Sequence, residues 1–437
     1  MRVDFTDSRE KGTSPSLRGV TPGCLSVPPP DSLTESSAWG KCCSTGVHWI
    51  ATLRSIPCNP FPFLLNLWKS SCFHELMGRD WRVDTLRGYF LVLMTLGHFP
   101  NPLARFTEYS FGYAAAPDGF VFLAGLVAAW VYLPLEQKRG ASAMTAKVLR
   151  RTRTIYFCHI ALIAVGILFT LQSGAHSFRA SHPLRAFLLG SMLLQQGGFD
   201  KILPMYCVFF ACTPLILKQF TRGRAWLVGL ISAALWVAAQ FGLGDNSLRV
   251  PWMDLGTFNL CAWQVYFVAG QYLGYRRVHS PDFSILKSPA LLAACVAIAS
   301  LLMIDRHLLW LAGHQPLLGF NPHPNHNPAR LLDAACLAYI LWFVPRAVDW
   351  KLMKVGLFKF FNLLGRHSLQ VFMFSMLVAR LEAHTTAGFP LAVKVVLTLL
   401  TVFSLALPAL VHQMYQASRR SLVSPAAALQ FETQSAS

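Results

Sequence analysis

Long apolar runs recur along this chain, and no other feature limits its fold as strongly. A hydrocarbon core about 30 Å thick needs roughly 20 apolar residues for each helical crossing. Ten runs approach that length, at approximately 84–101, 117–135, 154–172, 203–218, 225–242, 256–274, 288–304, 329–345, 367–384 and 391–413. The chain is 54% hydrophobic and 13% charged, whereas ordinary soluble domains are about 25% charged. The expected fold is all-α: a polytopic integral membrane protein of about ten transmembrane helices.

Charge sets the orientation. A net charge of +18 would suggest a nucleic-acid partner in a soluble protein. Here the basic residues sit in short loops between apolar runs, so no nucleic acid is expected and the lipid bilayer is the partner. An eleventh apolar stretch, Leu184 to Leu194, is too short to cross. Counting it as a span would put Lys218, Arg222, Arg224, Arg276, Arg277 and Lys287 outside. Leaving it on the outer face gathers those residues, with Lys138 to Arg153 and Arg346 to Arg366, on the inner side. The result is a positive-inside pattern with both termini cytoplasmic. Trp130, Trp226, Trp252 and Trp342 then fall near span ends, as an aromatic belt does.

Residues 1–77 differ from the rest. They are rich in Ser, Pro, Gly and Cys, and Pro28-Pro29-Pro30 and Pro60-Phe61-Pro62 interrupt any helix. The expectation is a disordered segment or a start assigned too early, with Met77 just before the membrane domain of 78–420 and a disordered tail at 421–437. The eleven cysteines show no zinc spacing and no disulfide framework, and no metal site is expected. No internal repeat is visible, which argues against a transporter built from inverted halves.

The chemistry concentrates in the first span. Asp80 to Pro100 opens with charge, turns apolar and then carries a lone histidine, His98. Arg87 and His98 are eleven positions apart, about three helical turns or roughly 16 Å along one face. An ionisable residue inside a membrane helix is costly and marks function by default; placement at the interface is the plainer alternative. Arg87, ten residues, then His98 resembles the first-helix motif of the acyltransferase type three family of membrane O-acyltransferases. Arg79-Asp80-Trp81-Arg82-Val83-Asp84-Thr85-Leu86-Arg87-Gly88 resembles more narrowly the OpgC family, associated with succinylation of osmoregulated periplasmic glucans. The resemblance runs from about Gly78 to Arg420. Val83-Asp84-Thr85 departs from the family's usual Leu-Asp-Gly.

Several roles follow from that resemblance. His98 is the expected catalytic base or acyl-accepting nucleophile, because imidazole is neutral near pH 7. Asp118, in Ala116-Pro117-Asp118-Gly119, resembles the family's acidic helix start and is expected to orient the imidazole; a helix cap is the structural alternative. Arg150, Arg151 and Arg153 open the third span, and Arg150 and Arg153 match an arginine, two residues, arginine motif. With Arg87 they are the expected substrate-binding residues, since guanidinium groups bind phosphates by paired, charge-assisted hydrogen bonds. Ordinary positive-inside charge would place them there too. Arg366 and His367 are further candidates for holding the donor, and the 305–328 loop for holding a carbohydrate.

The implied activity moves an acyl group, with succinyl first, from cytoplasmic acyl-CoA to a hydroxyl of a periplasmic glucan in a bacterial inner membrane. No permanently bound cofactor is expected; acyl-CoA is a substrate. Acetyl transfer to another envelope polysaccharide and transport of anions or glycans are the alternatives.

Overall fold

A computed structural model describes residues 80–99, 101, 103, 111–172, 181–194, 202–243, 258–279, 288–308, 318, 327–347, 355–385, 388–416 and 418. Residues 1–77 and 421–437 fall outside this description, as do 309–317 and 319–326 of the 305–328 loop. The described residues are helical, without a strand: α1 (Trp81–Leu96), α2 (Ala116–Gln172), α3 (Pro183–Ser191), α4 (Ile202–Thr221), α5 (Ala225–Gln240), α6 (Leu260–His279), α7 (Pro289–Met303, continued by a π turn over Ile304–Leu308), α8 (Pro328–Ala347), α9 (Gly356–Arg366), α10 (Ser368–Thr385) and α11 (Leu391–Ser404).

Each of the ten apolar runs overlaps a described helix. By length and composition, Ala116–Gln172, Pro289–Leu308, Ile202–Thr221 and Leu391–Gln416 can cross a membrane, and Ala225–Gln240 is a shorter apolar helix. The α2 rod is two arms that meet at Gly140, whose φ of 82° is left-handed and breaks the helical path. The stretch judged too short to cross is the nine-residue α3.

This bundle turns apolar residues outward and polar ones inward. Leu230, Ile231, Leu399, Leu400, Phe403 and Leu407 are all exposed, while Thr213, Gln271, Asp333 and Glu382 are buried. Lipid rewards that arrangement, because an apolar side chain costs nothing there and a polar one needs an internal partner. Gln271 of α6 donates to the Thr213 hydroxyl of α4 at 2.9 Å, and Ser232 of α5 donates to Gln264 of α6 at 2.8 Å. Such interhelical bonds, together with close approach at small residues, hold membrane helices that have no water-driven reason to associate. Close approach is most evident where α6 crosses the first arm of α2: a methyl group on Gly125 or Gly270 would overlap the Phe267 or Phe122 carbonyl. The same holds where α9 meets α1, with Gly365 against the Asp84 carbonyl and Gly88 against that of Phe361.

One helix is shorter than its sequence suggests. The first span was expected to carry Arg87 and His98 on one helical face, but α1 ends at Leu96 with Gly97 as its cap, and His98 lies in the following turn. Its amide donates to the Thr95 carbonyl at 3.1 Å. Asn101 stops the helix: its side-chain amide donates to the Leu96 and Phe99 carbonyls at 2.5 and 2.9 Å. Pro100, between them in sequence, cannot continue a helical hydrogen-bond ladder.

Candidate functional site

The first arm of α2 separates two cavities, and helical periodicity sorts its residues between them. Phe120, Ala124, Val127, Ala128, Val131 and Tyr132 line one. Asp118, Gly119, Phe122, Leu123, Leu126 and Trp130 line the other. The i, i+4, i+7, i+8 spacing of the first set is one face of an α-helix.

The first cavity, about 310 Å³, is basic. Arg87, Arg151, Arg366 and His412 line it, with Tyr132, Tyr206, Ser368 and Gln370, and none of its lining residues is an Asp or Glu. Arg87 projects from α1 and donates to the Ser368 hydroxyl of α10 at 2.7 Å. Its guanidinium stands 5.6 Å from the centre of the Phe120 ring, and Tyr206 meets that ring edge-on at 6.1 Å. His412, on the continuation of α11, packs on His367, with their Nδ1 atoms 2.8 Å apart. One of the two nitrogens must carry the proton in that bond. Arg151 extends from the second arm of α2, just past the Gly140 break. Its neighbours Arg150 and Arg153 are exposed and do not line the cavity.

The second cavity is larger, about 870 Å³, and mostly apolar, between α1, α2, α6 and α8. At one end, the Asp80 carboxylate caps α1 by accepting from the Arg82 amide at 3.0 Å and pairs with Arg277 at 3.1 Å. Arg277 also lies over the Trp130 ring at 3.7 Å and 5.5 Å from that of Trp342. Two of the expected belt tryptophans thus hold one arginine.

Asp118 stands at the opposite end. It is 1% exposed and bound bidentately by Arg330 of α8, with Oδ2 to Nε at 2.9 Å and Oδ1 to Nη2 at 3.0 Å. Oδ2 also accepts from the Ala115 amide at 2.9 Å, so Asp118 does cap its helix. Its hydrogen bonds run to these two partners and not to His98. Half-buried His98 lines neither cavity. Three residues along from Arg330, Asp333 accepts from the Tyr113 and Ala114 amides at 2.7 and 2.8 Å. The Tyr113 hydroxyl donates to Asp305 of the π turn. Burial, then the hydrogen bond to Asp305, push the Tyr113 phenol well above its ordinary value. Together Asp118, Asp305 and Asp333 pin the turn that leads into α2.

A family model for the OpgC protein matches residues 79–417. The chain belongs to the OpgC family. The match begins at the first arginine of the Arg79–Gly88 motif and takes in every described helix that lines the two cavities. No curated protein matches the chain. OpgC membership implies a transferase with a glucan-related substrate in a membrane setting. Of the charged and polar residues in and around the cavities of this OpgC-family chain, the sequence singled out Arg87, Asp118, Arg151 and Arg366 and passed over Tyr206, Arg330, Asp333 and His412. Three of those four were open to the rule that an ionisable group inside an apolar span marks function. Tyr206 offered no signal, because a tyrosine in an apolar run reads as core.

Proposed function

We propose that this protein is a membrane acyltransferase that moves an acyl group, with succinyl first, from acyl-CoA supplied at the cytoplasmic side to a hydroxyl of a periplasmic glucan. Ten crossings with both termini cytoplasmic, in the inner membrane of a bacterium, complete the proposal. Family membership carries the glucan and the transfer. The observation that carries the donor is the basic cavity: Arg87, Arg151 and Arg366 line a channel that holds no carboxylate side chain. Guanidinium groups gathered in that way favour a polyanion, and the phosphates of CoA supply one. Arg150 and Arg153, exposed beside Arg151, extend the basic surface outside the channel.

His98 takes the proton of the acceptor hydroxyl in this mechanism. The hydroxyl oxygen then attacks the thioester carbonyl, the carbon–sulfur bond breaks, and the CoA thiolate leaves and collects the proton. In the nucleophilic variant, an imidazole nitrogen first accepts the acyl group and passes it to the hydroxyl. Asp118 assists as the carboxylate partner of the imidazole. Its present bonds to Arg330 and Ala115 have to rearrange for that, as catalytic contacts commonly tighten only with substrates bound.

The test uses purified protein in detergent, with succinyl-CoA and a glucan acceptor and no membrane gradient. Release of free CoA thiol together with acylated glucan is expected. No acylated glucan in detergent, with glucan carried across vesicles by the same protein once reconstituted, would overturn the assignment in favour of transport.

A further inference from the structure

The basic cavity is long, and polar groups line it along its length. It runs along the first arm of α2 from Phe120 to Tyr132, a rise of about 18 Å at 1.5 Å per residue. A volume of about 310 Å³ spread over that length is a narrow channel, suited to a linear chain. Both ends are positive. Arg151 and Tyr132 line one end together, and exposed Arg150 and Arg153 lie beside Arg151. At the other end Arg87 stands over Phe120, among buried aromatic side chains: Phe120, Tyr206 and Phe210.

Tyr206 is the unexplained group at that end. Its hydroxyl is buried and has no hydrogen-bond partner among the described residues. A phenol is a donor, and leaving one unsatisfied in the interior costs free energy that proteins generally avoid. The ring is held in place by Phe120 at 6.1 Å and Phe210 at 6.3 Å, so the hydroxyl is positioned by packing and not by a partner of its own. Arg87 flanks the same Phe120 ring and is close enough for its charge to act on Tyr206. A neutral donor and a guanidinium on the wall of one channel suit a carboxylate. A methyl group placed there would leave the hydroxyl unsatisfied.

We infer that Tyr206 and Arg87 form a recognition site for the terminal carboxylate of a dicarboxylic acyl thioester. The inference rests on the acyltransferase assignment and adds which residues select the acyl group. The nucleotide end of the donor lies at Arg151, the acyl end lies at Tyr206, and the narrow middle takes the uncharged linker between them. Tyr206 acts as a specificity residue through one hydrogen bond to the carboxylate.

Binding of succinyl-CoA and acetyl-CoA to the purified full-length protein in detergent tests this, compared between the unmodified chain and Tyr206→Phe. The substitution removes only the hydroxyl and keeps the ring against its neighbours, and a monodisperse elution profile confirms folding. The unmodified protein should prefer succinyl-CoA. The Tyr206→Phe protein should lose about 10- to 100-fold of that preference, the share of one hydrogen bond to a charged group. Equal binding of the two donors by the unmodified chain, or an unchanged preference in the variant, overturns the inference and leaves the acyltransferase assignment standing. Failure to bind either thioester overturns both.

Discussion

Breaking the Asp118–Arg330 pair should destabilise this protein more than any single surface change. Asp118→Asn keeps the size and shape of the side chain but removes its charge. The pair is bidentate, at 2.9 and 3.0 Å, with the two side chains 1% and 12% exposed. At that depth, solvent offers little replacement for the lost partner. Removing one member of a buried ion pair typically costs about 3–5 kcal/mol, because the other charge stays behind in a poor environment. The Ala115 amide, bonded to Asp118 at 2.9 Å, can keep its bond to the Asn carbonyl, so the cap survives and the loss reports the ion pair. Reversible unfolding in mixed micelles, followed by circular dichroism, measures the change for Asp118→Asn, Arg330→Gln and the double variant. Each single substitution should fall in the stated range. The double variant should be milder than the sum, with a coupling toward the upper end of the ~0.5–3 kcal/mol found for contacting residues. Strict additivity would refute the reasoning, since it would mean that the two groups do not stabilise one another through this contact.

Three further outcomes are expected. His98→Ala should insert normally and lose glucan acylation by about 10²–10⁴-fold; near-normal modification, measured by mass spectrometry of the glucan, returns His98 to an interfacial role. Arg151→Gln should raise the donor KM about 10- to 100-fold, and Arg150→Gln should raise it less, because only Arg151 lines the channel; steady-state kinetics showing the reverse order would move the donor out of that cavity. Single cysteines placed at Ser181 and Leu194, on either side of α3, should react with an impermeant thiol reagent from the same face of the membrane, and labelling from opposite faces would break the ten-span topology.

Much of this architecture was legible because the membrane imposes a rule that acts on composition. Lipid asks each crossing helix for a long apolar run, so helix positions could be read from sequence to within a few residues, as at Ile202–Thr221 and Pro328–Ala347. Helix ends obey local chemistry and were harder to place. The first span was read through to His98 because its apolar run continues that far. Asn101, the last residue of that run, supplies a side-chain amide that bonds the Leu96 carbonyl where α1 ends, and hydropathy does not register such a capping bond. The family motif also survived its local departure: Thr85, where glycine is usual, donates to the Trp81 carbonyl at 2.8 Å inside an unbroken α1.

The sequence by itself determined that the chain is a helical membrane protein, and which of its charged residues stand in or beside apolar runs. Hydropathy and charge belong to each residue alone, and a bilayer reads them one segment at a time. Only the tertiary structure decided partners. Arg330 is 212 positions from Asp118 and Ser368 is 281 from Arg87, separations at which no helical period relates two side chains. It also decided that Arg151, and not its neighbours Arg150 and Arg153, faces the basic channel. Three nearby positions point to different sides of a helix, and which side meets the channel depends on how α2 turns at Gly140 and packs against α4. Tyr206 illustrates the division most plainly. Its place in an apolar run said core; the fold buries its ring as a core residue and leaves its hydroxyl, without a partner among the described residues, beside a channel lined with arginine.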